Sequence, residues 1–241
     1  MSLPLAIVGH GKMGRLVEQL APQHGFQVVA RFTSANTASL SRETLARATT
    51  AIEFSAPSAA PQNILRLASL GVHTVSGTTG WYDHLPQIRN SVEAAGSALL
   101  YGPNFSIGVN LFFQIVARAA TLLSKHPEYE AWGWEIHHSA KKDAPSGTLK
   151  KLAEEIQAAG YSRPLNLAAN RAGSHTGTHE VGFDSPADTI TLRHTARSRE
   201  GYAHGALEAA RWLQQKKRRL RISRNHLRTG SGENFRVVAG L

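Results

Sequence analysis

The chain is predicted to be an α/β protein: an N-terminal parallel sheet flanked by helices, followed by an α+β domain with a mixed or antiparallel sheet. Three observations predict this. Short apolar runs alternate with helical patterns over the first hundred residues. A glycine turn, "GHGKMG", joins the first run to the first helix. Beyond residue 105 the alternation stops, and a long apolar helix, a strand of alternating large and small residues and a Gly/Thr/Ser/His-rich stretch follow. Strand–helix alternation is the signature of a parallel sheet covered on both faces.

The elements follow in order. "LPLAIVG" is a short apolar run, hence a buried strand. Met13, Leu16, Val17 and Leu20 then recur at helical spacing, and Gly25 closes that helix. "FQVVARF" is the second strand and "TAIEFSAP" the third, stopped by Pro57. Pro61 opens a helix carrying Ile64, Leu65 and Ala68, which Gly71 ends. "VHTVSG" is the fourth strand, followed by the loop "GTTG". Leu85, Ile88 and Val92 mark another helix, and "SALLYG" is the fifth strand. After "GPNFSIGVN" a helix is expected from about Ile107 to Ser124. "AWGWEIHH" has the alternation of a half-buried strand. Leu149, Leu152, Ala153 and Ile156 define a further helix, "TGTHEVGF" and "DTITLRHTA" antiparallel strands, and "AHGALEAARWLQQKK" a last helix. The expected division is residues 1–105, completed by about 200–241, as a dinucleotide-binding domain, and 106–199 as a substrate-binding and oligomerisation domain.

Composition narrows the function. The chain has 241 residues, no cysteine and a formal charge of +10. Without cysteine there is no disulfide framework or thiolate metal site. "MSLPLAIVGHGKMG" runs directly into a strand, so no signal peptide is expected. The longest apolar stretches are too short for a membrane span. A cytoplasmic protein is the expectation, with no membrane partner. Six basic residues cluster in "KKRRLRISR", residues 216–224. A solvated helix end accounts for them as well as a nucleic-acid surface does, and no aromatic-interleaved motif accompanies them. Diffuse positive charge also attracts small anionic substrates.

Gly9, Gly11 and Gly14 stand in GxGxxG spacing, with His10, Lys12 and Met13 between them. The first glycine makes a tight turn, the second lets backbone approach a pyrophosphate, and the third lets helix pack on strand. The position after the first strand and before a helix supports a dinucleotide site. An acid about 20 residues on would bind the ribose of NAD. None occurs between Gln19 and Arg42; the second strand ends in Arg31, Phe32, Thr33 and Ser34. Hydroxyls and a cation there suit a 2′-phosphate, with Lys12 nearby, although Arg31 is equally placed to be a plain surface residue.

"EIHHSAKKDAPSGT", residues 135–148, concentrates proton carriers and anion binders. His137 and His138 point to opposite faces if the strand continues, and reach one cleft if it breaks. Pro145 ends extended structure, and Ser146, Gly147 and Thr148 open a helix whose free N–H groups bind anions. Lys141 neutralises the same anion. This equipment suits reduction of an anionic substrate with delivery of a proton. A metal site on the paired histidines or on His175 and His179 is disfavoured, because "GSHTGTHE" is too rich in glycine and threonine for a helix.

In order along the chain, "GHGKMG", "EFSAP", "GTTG", "GPNFSIGVN", "EIHHSAKKDAPSGT" and "HTARSREGYAHGALEAARWL" resemble the 4-hydroxy-tetrahydrodipicolinate reductase (dihydrodipicolinate reductase) family of diaminopimelate and lysine biosynthesis. The resemblance implies a Rossmann-type nucleotide domain and reduction of a cyclic imine with NADPH and/or NADH. Hydride goes to ring C4 of the dehydrated substrate and a proton to C3. It makes His137 the proton donor/acceptor and Lys141 the second catalytic residue, and assigns substrate to His138, Gly147 and Thr148, beside Ser146. It assigns cofactor to the glycine turn, to Thr33 and Ser34 at the adenosine ribose, and to Gly77, Thr78, Thr79, Gly102, Pro103, Asn104 and Phe105 near the nicotinamide. It also implies a homotetramer. The chain departs from the family pattern at Ala140, where a basic residue is common, in a shortened segment at "SPADTI", and in its basic tail. Two other classes stay open. One is another Rossmann oxidoreductase of small dicarboxylates, such as an aspartate dehydrogenase-like enzyme. The other is a non-catalytic nucleotide- or nucleic-acid-binding protein.

Overall fold

The computed structural model describes residues 2–215 and 236–239, so the basic run 216–224 lies outside the described residues. The chain divides into two compact units. One holds the described residues up to Ser106 with those from Tyr202 on; the other is Ile107–Gly201.

The first unit is built on strands β1 (Leu3–Val8), β2 (Phe26–Phe32), β3 (Thr50–Glu53), β4 (His73–Ser76), β5 (Ala98–Tyr101) and β10 (Arg236–Ala239), in sheet order β10-β5-β4-β3-β1-β2. The first five are parallel, and β10 runs antiparallel on β5. Residues 5–8 of β1 are all buried, because helices cover both faces. Leu5 and Ile7 pack with Val17 of α1 (Lys12–Leu20) and with Ala206 and Leu207 of α6 (Glu200–Gln215). Ala6 and Val8 pack on the other side with Leu67 of α2 (Ala60–Ser69). Ile64 of α2 meets Ile88 and Val92 of α3 (Leu85–Ala94). The strand order reverses direction at β1, between β2 and β3. The carboxyl ends of strands at such a switch point form the crevice where ligands of open α/β sheets bind.

The second unit is a four-stranded mixed sheet, β7-β6-β8-β9, from β6 (Glu130–His137), β7 (Asn166–Arg171), β8 (Thr178–Asp184) and β9 (Thr189–Thr195). Helices α4 (Ile107–Leu123) and α5 (Gly147–Ala158) supply its core, where Phe113, Val116, Leu149 and Leu152 pack with Val181 and Phe183. β6 alternates as its sequence predicts: Ala131, Gly133, Glu135 and His137 are buried, while Trp132, Trp134 and Ile136 on the other face are half-buried. Trp132 lies across Gly182, where a Cβ would stand 2.1 Å from the indole. β7, parallel to β6, is an edge strand that the sequence pattern does not reveal.

Candidate active site

In the first unit the glycine turn sits at the switch point. Gly9 has φ +91°, and a Cβ there would lie 2.1 Å from the Phe54 carbonyl oxygen; at Gly14 it would lie 2.3 Å from the Gly9 oxygen. Both are glycine because backbone crosses them. Gly11 differs: a Cβ there meets nothing within 4 Å. Gly11 is also the N-cap of α1, without a side-chain cap, and the first backbone bond of the helix start runs from Arg15 N to its carbonyl. The preceding N–H groups are therefore available to an anion. This open, uncapped helix start fits a dinucleotide's pyrophosphate, and exposed Lys12 stands in it.

At the end of β2, Thr33 and Ser34 are exposed, and the Thr33 N–H donates to Asn36 Oδ1 at 2.6 Å. Arg31 is not a spare cation. Its guanidinium holds Glu18 of α1, through Nε at 2.6 Å, and His10 Nε2 meets the other Glu18 oxygen at 2.6 Å. Glu18 lies just before the acid-free window of the sequence, and one helical crossover carries it back to the strand end. The Arg31 bond, opposed by partial burial, lowers its pKa, so it is ionised.

The loops after β3 and β4 are locked together by the fully buried Glu53. Its carboxylate accepts from Ser55 N at 2.8 Å, Ser76 Oγ at 2.5 Å and Thr78 Oγ1 at 2.9 Å. Thr78 Oγ1 also accepts from Ser55 N at 2.9 Å. Gly77 gives way to the Phe54 ring, 2.0 Å from its missing Cβ. Thr78 is thus committed inside the loop, and exposed Thr79 is the hydroxyl on its outside. After β5, Gly102, Asn104 and Phe105 are buried and Pro103 is exposed. Asn104 Oδ1 accepts from Ser106 N at 2.9 Å, and Phe105 packs edge-on to Phe54.

In the second unit β6 ends at His137, so its imidazole keeps the buried face, and His138 is the first residue beyond the strand. Register brings Arg171 of β7 opposite His137, and His179 of β8 opposite Glu135. Glu135, fully buried, is the hub. Oε1 accepts from Ser146 N and from Arg171 Nη2, each at 2.8 Å. Oε2 accepts from Ser146 Oγ and lies 3.3 Å from His179 Nε2 and 3.8 Å from His137 Nδ1. Burial opposes its ionisation, but the bonds from His179, Ser146 and Arg171 outweigh that and hold the carboxyl well below the usual carboxylate range. His137 is pushed the other way: burial, then the neighbouring His179, lower it to about 4, and Glu135 only partly offsets them.

Ser146 caps α5, its Oγ accepting from Leu149 N at 3.2 Å. With that hydroxyl turned inward to Glu135, only the rest of the helix start faces outward. Exposed Gly147 has nothing within 4 Å of its missing Cβ. Lys141 Nζ pairs with Asp143 Oδ1 at 2.7 Å. His175 is exposed while His179 is buried, so the two do not form one site. Glu135, His137 and His179 do bring ligand atoms within 4.8 Å of one another. However, the positive charge that faces this carboxylate is already supplied by Arg171. Sequence reasoning gave Glu135, Arg171 and His179 no role. The available signal was the Glu135–His137 spacing of two, which puts a carboxylate and an imidazole on one face of a strand.

A parallel sheet with an uncapped glycine turn at its switch point, and a separate buried imidazole beside a cationic helix start, define an NAD(P)H-dependent oxidoreductase. Residues 3–105 match the family model for the dihydrodipicolinate reductase N-terminus and residues 108–226 that for its C-terminus. The chain belongs to the dihydrodipicolinate reductase family. A 4-hydroxy-tetrahydrodipicolinate reductase of Christiangramia forsetii is 33% identical over 225 residues, covering 88% of this chain and 92% of the relative. One from Archaeoglobus fulgidus is 33% identical over 237 residues, covering 84% and 90%. Among solved structures, a dipicolinate-bound dihydrodipicolinate reductase from Paenisporosarcina sp. TG-14 superposes with TM-score 0.74 at 21% identity, covering 89% of this chain and 96% of that one, which shows the shared fold. The family places the reaction in diaminopimelate and lysine biosynthesis and favours it over the aspartate dehydrogenase-like alternative.

Proposed function

We propose that this chain reduces 4-hydroxy-tetrahydrodipicolinate, through its dehydrated cyclic imine, with His137 as the proton donor and the Gly147–Thr148 helix start as the carboxylate clamp. The observation that carries this reading is the placement of a buried imidazole and its carboxylate directly beneath that helix start. The carboxylate is bonded to that helix start through Ser146, and the imidazole Nδ1 lies 3.8 Å from the carboxylate. Bound NADPH or NADH supplies the hydride to ring C4. His137 delivers the proton at C3, Lys141 offsets the substrate's negative charge, and the backbone N–H groups at the start of α5 take one carboxylate. His138 flanks the same site. On the first unit the glycine turn holds the pyrophosphate, Thr33 and Ser34 the adenosine ribose, and the loops 77–79 and 102–105 the nicotinamide end.

A proton donor whose pKa is about 4 is neutral at pH 7. The dianionic substrate corrects this, because opposite charge nearby favours the imidazolium. Binding therefore raises the His137 pKa and takes up a proton. Pyridine-2,6-dicarboxylate should compete with substrate, and titration calorimetry in buffers of different ionisation enthalpy should show proton uptake. Below about pH 4 the free protein is already protonated, so uptake vanishes; above it, affinity falls as pH rises through the bound-state pKa. Binding with no proton uptake near neutrality would contradict the role given to His137.

NADPH should serve at least as well as NADH. Thr33 and Ser34 donate to a 2′-phosphate, and charge-assisted contacts of this kind contribute about 1.5–3 kcal/mol. Glu18 tempers the effect by holding Arg31. Thr33→Glu should shift kcat/KM towards NADH, and Glu18→Gln, by releasing Arg31, towards NADPH. Unchanged ratios in both variants would place recognition of the 2′ position elsewhere.

We further propose a cytoplasmic homotetramer with no nucleic-acid or membrane partner. Among the described residues no helix is long and apolar enough to cross a membrane. The half-buried Trp132 and Trp134 on the face of the second sheet opposite its core support assembly through that face.

A further inference from the structure

The residue beneath the proton donor has a job that the reaction requires and that the motif alone does not assign. His137 Nδ1 is buried, has no hydrogen-bond partner, and faces Glu135 Oε2 at 3.8 Å. That carboxylate is anchored on three sides by Ser146 N, Ser146 Oγ and Arg171. At the other edge of the ring stands Gly177, with φ +137°. A Cβ there would sit 3.0 Å from His137 Nε2 and 3.1 Å from Cδ2.

An imidazole lone pair directed at an anionic oxygen is repelled, whereas an N–H directed at it is attracted. A small rotation of the ring closes 3.8 Å to the 2.7–3.2 Å of a hydrogen bond, and catalytic bonds commonly tighten only when substrate is bound. We infer that Glu135 is a positioning residue that holds His137 as the Nδ1–H tautomer, so that Nε2 is the nitrogen that carries the reacting proton, and that position 177 is glycine to keep the Nε2 edge uncovered.

This inference rests on the proton-donor role proposed above and specifies which atom performs it. When the imidazolium gives its Nε2 proton to substrate C3, the N–H bond breaks, a C–H bond forms, and the ring returns to the neutral Nδ1–H form facing Glu135. The charged and titratable groups facing His137 are Glu135 on its own strand, His179 on β8, Arg171 on β7 and Lys141 in the following loop. Of these, only Glu135 favours the imidazolium, so its removal moves titration of His137 to lower pH.

The test is long-range ¹H–¹⁵N spectroscopy of histidine-labelled protein, with the His137 signals assigned by their loss in His137→Gln. The expected result at neutral pH is the Nδ1–H tautomer with unprotonated Nε2; an Nε2–H tautomer overturns the inference. Glu135→Gln should let the Nε2–H form appear, lower kcat at least roughly tenfold of the about 10²–10⁴-fold that a positioned acid contributes, and move the alkaline limb of the kcat profile to lower pH. A merely structural role would leave tautomer and limb unchanged, and that outcome also overturns the inference. Should Glu135→Gln fail to fold, the wild-type tautomer and Glu135→Asp, which keeps the charge and should keep the tautomer, decide the matter. Gly177→Ala should lower kcat and leave the tautomer as in wild type. The spectrum needs no turnover, so a wrong tautomer in an active reductase refutes this inference alone, while the expected tautomer in a protein without that activity refutes the proposed function.

Discussion

His137→Gln should lower kcat by about 10²–10⁴-fold, the contribution of a positioned proton donor, while cofactor affinity stays close to wild type. Glutamine keeps much of the volume of the ring and a polar head, so the buried face of β6 stays filled and the loss falls on chemistry. Lys141→Ala should also fall chiefly on kcat. Its ammonium is held by Asp143 at 2.7 Å and makes no bond to Glu135. Direct measurement of NADPH binding by fluorescence, beside steady-state kinetics, separates the two effects. Near wild-type kcat in both variants would remove the proton-donor assignment.

The second large effect contrasts two glycines of one turn. Gly9→Ala should destabilise the protein, because its Cβ would lie 2.1 Å from the Phe54 carbonyl oxygen at φ +91°. Backbone strain of this kind alone costs on the order of 1–3 kcal/mol. Gly11→Val should leave the melting temperature nearly unchanged, since nothing lies within 4 Å of the added Cβ. It should nevertheless weaken NADPH binding by roughly tenfold to hundredfold, the loss of one charge-assisted contact at the pyrophosphate. Thermal denaturation and cofactor titration of both variants check the contrast. If Gly11→Val bound cofactor normally, the phosphate would not lie over this turn.

The contrast between these glycines also marks what a sequence can convey. The spacing of Gly9, Gly11 and Gly14 places a turn between strand and helix. Only the structure divides the three into two that admit crossing backbone and one that leaves space. The central strands were legible because burial on both faces turns them into apolar runs, as in "LPLAIVG" and "SALLYG". β7 was not, because "NLAANR" is a largely exposed edge strand whose composition carries no alternation. β10, four residues on the sheet's edge, gives too short a signal.

At the site, the motif "EIHHSAKKDAPSGT" pointed to the imidazole and the anion-binding helix start. What it could not show is the company they keep. Arg171 and His179 arrive from different strands by sheet register, and Glu18 reaches Arg31 because α1 folds back over β2. Ser146 illustrates the same limit from the other side. A serine at a helix start predicts a cap, which it is, yet its hydroxyl is also bound to Glu135 and so turned away from a ligand.

The most direct test of the central claim is a coupled assay. Aspartate semialdehyde and pyruvate are condensed by the preceding synthase, and oxidation of NADPH or NADH is followed on addition of this protein. The account predicts cofactor oxidation that depends on the synthase, proceeds with NADPH at least as well as with NADH, is inhibited by pyridine-2,6-dicarboxylate and collapses in His137→Gln. No synthase-dependent oxidation with either cofactor, from protein shown to be folded and to bind nucleotide, would contradict it.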